Sequence, residues 1–201
     1  MRKINKILIG TNNKGKFAEI ADLLPKNLEK ISPKDLKIES PEETGKTFIE
    51  NSELKANFFC KKSKIITISD DSGLEVDCLQ GEPGIFSARW AKDYGSFYNA
   101  SLEILKRVEK SNKDNKTKNY NANFICALTI QWPDGKKYSD IGKIDGKITG
   151  IKGKNGFWYD PIFIPNGYSQ TFAEMKYQKK LEIDHRKVAF DKLNKKIKDY
   201  F

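Results

Sequence analysis

Residues 7–20 read ILIGTNNKGKFAEI. Lys6 to Gly10 reads as a short buried strand and TNNKGK as a polar loop. Phe17, Ile20, Ala21, Leu23 and Leu24 then recur at the spacing of one helix face, with Pro25 as the stop. A strand, a glycine-containing loop and a helix in that order open an α/β fold. The loop also carries chemistry. The first N–H groups of a helix lack intrahelical acceptors and lie at its positive end, so a loop of this kind suits a phosphate chain. Lys14 and Lys16 add charge, Thr11, Asn12 and Asn13 add short donors, and Gly15 keeps the backbone open. Gly10 to Lys16 matches the GxxxxGK start of a P-loop, but Phe17 stands where the metal-holding Ser or Thr belongs. On the residues alone, a P-loop phosphotransferase stays open as a rival.

Working outward, the sequence predicts a short strand near Leu36–Ile38. It predicts a helix over Thr47–Ser63, with Thr47 as N-cap and Glu50 as its capping-box partner. Ile65–Ser69 is a β-branched strand ending in Asp70-Asp71-Ser72-Gly73, and Leu74–Leu79 alternates like a second, half-exposed strand. Gly81–Arg89 is open to two readings, a turn plus strand with no chemistry or a segment that shapes the site; the second is adopted, with Ser87 and Arg89 as weaker candidates. Phe97–Glu109 is a helix, and SNKDNKTKN (111–119) is an exposed loop. Phe124–Gln131 and Tyr138–Ile148 form an antiparallel pair about Pro133-Asp134-Gly135. Phe163–Pro165 is a last short strand and His185–Tyr200 a last helix. The expected fold is α/β: a mixed, twisted sheet flanked by helices, one domain over 1–201 with two lobes around a central cleft.

Composition bounds the function. The chain has 201 residues and a net charge of +10, which suits polyanionic ligands. Its Lys residues are dispersed from Lys3 to Lys198 rather than clustered with aromatics, so no nucleic-acid partner is expected. Cys60, Cys78 and Cys126 lie far apart and form neither a disulfide framework nor a zinc motif. A single histidine, His185, excludes a multi-histidine metal centre. Ile7–Ile9 is too short for a signal-peptide core, and no apolar stretch approaches the ~20 residues of a membrane span. A cytoplasmic, soluble protein is expected.

Two acidic pairs stand out, Glu42-Glu43-Thr44-Gly45 and Asp70-Asp71-Ser72-Gly73. The second follows an apolar strand directly, and ligands of open α/β sheets sit beyond the carboxyl ends of strands. A triphosphate needs a hard cation held by carboxylates, and a further carboxylate can take a proton from water.

With these segments in view, the sequence resembles the inosine triphosphate pyrophosphatase family, the non-canonical purine NTP or dITP/XTP pyrophosphatases. ILIGTNNKGKFAEI, PEETGKTFIENSELKA, SDDSGLEVDCLQGEPGIFSARWA, GFWYDPIF and a Lys-x4-His-Arg ending at Arg186 occur in order along nearly the whole chain. The resemblance implies hydrolysis of ITP, dITP or XTP to monophosphate and pyrophosphate with Mg²⁺ as cofactor, in a homodimer. It implies that Thr11, Asn12, Asn13 and Lys16, with Lys14 nearby, hold the phosphates and that Lys55 reaches toward them. Glu42, Asp70 and Asp71 would bind the metal, with Asp71 as proton acceptor, and Ser72 would touch the substrate. Phe157, Trp158, Tyr159 and Asp160 would line the base and sugar pocket. Lys180, His185 and Arg186 would complete it, with His185 and Arg186 donating to the 6-keto oxygen that adenine lacks. The chain departs from the pattern at Trp158, where the family usually has Gly, and at Leu181 and Asp184, where small polar residues are usual. The septum-associated Maf-type pyrophosphatases share similar chemistry on other bases.

Overall fold

The structure is a computed structural model described over residues 3–113 and 115–201. Asp114, in the stretch read as an exposed loop, lies outside the described residues. The chain runs β1 (Lys6–Ile9), α1 (Lys14–Leu23), β2 (Glu29–Ile31), α2 (Phe48–Ser63) and β3 (Thr67–Val76). It continues through α3 (Ser87–Asp93), α4 (Phe97–Lys113), β4 (Asn121–Gln131), β5 (Lys137–Ile148), β6 (Phe163–Pro165), α5 (Tyr177–Ile183) and α6 (His185–Ile197). The six strands make one sheet in the order β2-β1-β3-β4-β5-β6. β1 pairs parallel with β2 and β3, and β5 pairs antiparallel with β6, so the sheet is mixed.

The chain divides into two compact units. Unit 1 is residues 1–71, 126–142 and 185–201; unit 2 is residues 72–125 and 143–184. Each has its own apolar core. Ile7, Ile9, Ile20, Ile68, Leu128 and Leu193 pack in the first, and Leu74, Ile104, Phe124, Tyr159, Phe163 and Phe172 in the second. Gly10 is required where β1 ends: a Cβ there would collide with the Ser69 hydroxyl and the Phe59 ring. Among the described residues no helix is long and apolar enough to cross a membrane.

Several local expectations change. The strand expected near Leu36–Ile38 lies earlier, at Glu29–Ile31, and Pro33–Leu36 is a 3-10 turn closed by a Ser32–Asp35 capping box. The two strands expected around Asp70-Asp71-Ser72-Gly73 are one continuous strand, because both carboxylates find buried cationic partners and need no solvent. Ser87–Asp93 is a helix rather than a strand, and α4 continues to Lys113, into the stretch expected to be a loop. Thr47 caps α2 as expected, accepting from the Glu50 N–H at 3.1 Å. The Glu50 carboxylate answers one residue further back, at the Lys46 N–H.

Candidate active site

The phosphate-type loop is built by its own side chains. Asn13 caps α1, its Oδ1 accepting from the Lys16 N–H at 3.0 Å, and its own N–H donates to Thr11 Oγ1 at 3.2 Å. Asn12 Nδ2 donates to Ser40 Oγ at 2.8 Å. Helical spacing then sorts the two lysines: Lys14 stays exposed, whereas Lys16 is buried with its Nζ 3.1 Å from Asp70 Oδ2. Beside the loop lies a cavity of about 350 Å³, lined by Thr11, Asn12, Asn13, Lys14, Phe17 and Lys34 among others.

Asp70 and Asp71 are neighbours on β3, and neighbours on a strand point to opposite faces. They therefore meet different partners. Asp70 meets Lys16 and Arg186, whose Nη2 lies 3.3 Å from its Oδ2; the Arg186 guanidinium also pairs with the buried Glu19 carboxylate. Burial alone would raise the Asp70 carboxyl, but Lys16, Arg186 and Lys55 outweigh it and hold it well below the usual range. Asp71 meets α2. Asn51 Nδ2 donates to Asp71 Oδ2 at 3.1 Å, and Lys55 Nζ to Oδ1 at 3.1 Å. Here burial wins, and the carboxyl sits above its ordinary value despite Lys55 and Lys16; Glu43 adds to the rise. Burial would pull Lys55 down, but Asp71, Glu43 and Asp70 hold it above the usual lysine value.

Asn51 and Lys55 lie one helical turn apart, so both face the same way. Each bridges Asp71 to the acidic loop. Asn51 Oδ1 accepts from the Gly45 N–H at 2.8 Å, and Lys55 pairs with the Glu43 carboxylate. Glu42, the expected metal ligand of that loop, is exposed, whereas Glu43 is the residue turned toward Lys55. Sequence reasoning missed Glu19 and Asn51, and named Glu43 only as the neighbour of Glu42. The available signal was helical spacing: Glu19 lies three residues after Lys16, and Asn51 four before Lys55. Asn51→Asp keeps the acceptor for Gly45 but removes the donor to Asp71 and adds a negative charge. Losing a hydrogen bond to a charged group implies a destabilisation of about 1.5–3 kcal/mol. Urea unfolding checks it, and unchanged stability would mean the Asn51–Asp71 bond contributes nothing.

In unit 2, Asp160 organises a second group. Its Oδ2 accepts from the Phe157 N–H at 2.8 Å and from Lys180 Nζ at 2.7 Å. The same ammonium lies 4.4 Å from the Phe157 ring centroid, a cation–π distance. Lys180 is delivered by α5, a helix the sequence reading did not include. The turn needs Gly156 at φ 73°, where a Cβ would collide with the Asp160 carboxylate. Tyr159 is fully buried, its hydroxyl donates to the Ser87 carbonyl at 2.9 Å, and burial pushes its pKa up. Ser72 is buried in β3 next to Asp71. His185 is buried at the start of α6, where Gly142 leaves room for its carbonyl.

The structure thus brings Lys16, Lys55, Asp70, Asp71 and Arg186 together in unit 1, and Phe157, Asp160 and Lys180 in unit 2. Lys14 and Glu42 remain exposed.

Comparison with known proteins agrees over nearly the whole chain. The dITP/XTP pyrophosphatase of Caulobacter vibrioides is 40% identical over 195 residues, covering 96% of this chain and 98% of that protein. The dITP/XTP pyrophosphatase of Elusimicrobium minutum is 39% identical, covering 96% of this chain and all of its own. A HAM1 protein from Coxiella burnetii superposes with a TM-score of 0.85 at 30% identity, over 98% of this chain and 100% of that one. The Staphylococcus aureus Ham1 protein gives 0.82 at 34% identity, with the same coverage. The Ham1 family model matches residues 7–196, and the chain belongs to that family.

Proposed function

We propose that the protein hydrolyses non-canonical purine nucleoside triphosphates, dITP, XTP and ITP, to the monophosphate and pyrophosphate. This would clear deaminated purines from the nucleotide pool. The observation that carries this reading is the environment of Asp71: a carboxylate with a raised pKa, oriented by Asn51 and Lys55, beside a phosphate-type loop and a buried lysine.

In the proposed reaction a water oxygen attacks the α-phosphorus while its proton passes to the Asp71 carboxylate. The bond from the α-phosphorus to the α–β bridging oxygen breaks, and pyrophosphate leaves with that oxygen. Asn51 and Lys55 hold the carboxylate in one orientation for the transfer. Thr11, Asn12, Asn13, Lys14 and the backbone at Gly15 take the phosphates, and Lys16 and Lys55 offset the charge that develops on the leaving group. A raised pKa suits a general base, because it brings proton affinity closer to working pH.

The residues fit Mg²⁺. The carboxylates of Glu43 and Asp71 already converge on one cation, the Lys55 ammonium, and they supply the hard oxygen donors this ion takes. Three cations (Lys16, Lys55, Arg186) face four carboxylates (Glu19, Glu43, Asp70, Asp71), leaving 3 − 4 = −1 before a polyanion arrives. Asp70, Asp71 and the Glu42-Glu43 pair would hold the ion, and when bound it neutralises phosphate charge and polarises the phosphoryl group.

Phe157, Tyr159 and Asp160, with Lys180, His185, Arg186 and Ser72, are proposed for the nucleoside, and Trp158 belongs to the same turn without being assigned a contact to it. Lys180→Met removes a donor for the 6-keto oxygen and is expected to narrow the ITP-over-ATP ratio of kcat/KM at least about tenfold, within the range for an unpaired polar group. An unchanged ratio removes Lys180 from base selection. A homodimer is proposed as the assembly, and sedimentation equilibrium checks it.

Product analysis after incubation with ITP, GTP and ATP, with and without Mg²⁺, tests the whole reading. IMP plus pyrophosphate from ITP, with little turnover of ATP, is the expected result. Nucleoside diphosphate plus phosphate would overturn it in favour of P-loop chemistry.

A further inference from the structure

Trp158 has φ 60°, in the left-handed region that favours glycine. A bulky side chain is a genuine outlier there, and such positions persist only where the surroundings over-determine them, commonly at functional sites. The surroundings here are aromatic. Phe97, the first residue of α4, stacks on the Trp158 indole with ring centroids 5.0 Å apart and planes at 18°. The same Phe97 ring meets Tyr159 edge-on at 5.4 Å. On its other neighbour, Trp158 meets Phe157 edge-on at 6.2 Å and 84°. One α4 side chain therefore grips two consecutive residues of the 157–160 turn, and the indole passes that grip on to Phe157. Phe157 in turn lies under the Lys180 ammonium and donates its N–H to Asp160.

We infer that the Phe97–Trp158 stack is a positioning device for nucleobase recognition: it fixes Phe157, and through it Lys180, in the arrangement that receives the purine. This rests on the proposed role of the 157–160 turn. Trp158 acts through Phe157 and is a positioning residue, not a catalytic one. It should govern how tightly substrate is held and leave the hydrolytic step alone. Phe97, which the sequence reading did not include among the site residues, shares the role because the stack needs both rings.

The test is steady-state hydrolysis of dITP by four single variants and one double variant of the full chain. Trp158→Gly relaxes the backbone but removes the stack; it is expected to raise KM about tenfold with kcat within about threefold of wild type. Phe97→Leu, which leaves the turn backbone unchanged, is expected to do the same and carries the test should the glycine variant fold poorly. The double variant is expected to be no worse than about threefold beyond either single one, since the two act as a unit. Trp158→Phe keeps an aromatic ring against Phe97 and is expected to stay within about threefold of wild type. Phe157→Ala separates the two levels of the argument. A KM raised in Phe157→Ala but unmoved in Trp158→Gly and Phe97→Leu overturns the stack's role and leaves the base-pocket reading standing. A KM unmoved in all three overturns both. Trp158→Phe as poor as Trp158→Gly, or full additivity in the double variant, also overturns the stack's role.

Discussion

Asp71→Asn is expected to lower turnover of ITP by at least about a hundredfold, the lower end of what a lost general base costs. The substitution keeps shape and one acceptor but cannot take a proton. Its effect on folding is expected to be small by comparison, because two contributions oppose each other. In the metal-free protein the Asp71 carboxyl lies above its unfolded value because it is buried. A group raised in this way opposes folding at every pH above its folded pKa, and the penalty vanishes below the unfolded value of 3.8. At pH 7 the amide removes that penalty but also takes one carboxylate from the buried Lys55 ammonium, so urea unfolding in EDTA should find a smaller loss than in Arg186→Met. Wild-type turnover would remove Asp71 as the base.

Arg186→Met is expected to have the largest effect on folding. It leaves Glu19 and Asp70, both almost wholly buried, facing one cation fewer. Removing one partner of a buried ion pair typically costs about 3–5 kcal/mol. The pH dependence has a definite sign. Asp70 is held below its unfolded value by Lys16 and Arg186 against the pull of burial. Its contribution to stability is therefore present above the unfolded value of 3.8 and is lost as pH falls through the folded one. The gap between wild type and Arg186→Met should accordingly be widest near neutral pH and close on acidification. Adding Glu19→Gln should recover part of the loss, because it neutralises one of the stranded carboxylates. A gap under ~1 kcal/mol at pH 7 would place the pair among those worth little net energy.

These two residues also show what a linear reading captures. Asp71 was legible: an acidic pair directly after a β-branched run is uncommon enough to notice, and the resemblance assigned it. The continuity of β3 through the pair was not legible. Its partners, Lys16, Asn51, Lys55 and Arg186, come from far along the chain, and without them two adjacent acids read as solvated loop. The resemblance places Arg186 among the base-pocket residues, and no spacing in the sequence shows that its guanidinium pairs with the carboxylates of Asp70 and Glu19. Glu42 and Glu43 cannot be told apart on an irregular loop with no period; only the position of Lys55 separates them. Helices with an apolar stripe and a cap, such as α1 and α2, were read to within a few residues. The seven-residue α3 and α5 carry too little periodicity to be seen.

The division of the chain has a bearing on biosynthesis. Unit 1 is assembled from three separated stretches, and the last of them begins at His185. A nascent chain that has emerged only through residue 184 holds Glu19 and Asp70 without Arg186, and the apolar faces of Ile7, Ile20 and Leu128 without Leu193. Vectorial synthesis can complete unit 2, whose final residue is Asp184, before unit 1 has all its parts. Such a chain has no complete acid centre and exposes an unfinished core to chaperones and proteases. Truncated translation products would then be removed as misfolded protein instead of lingering as partly active hydrolase.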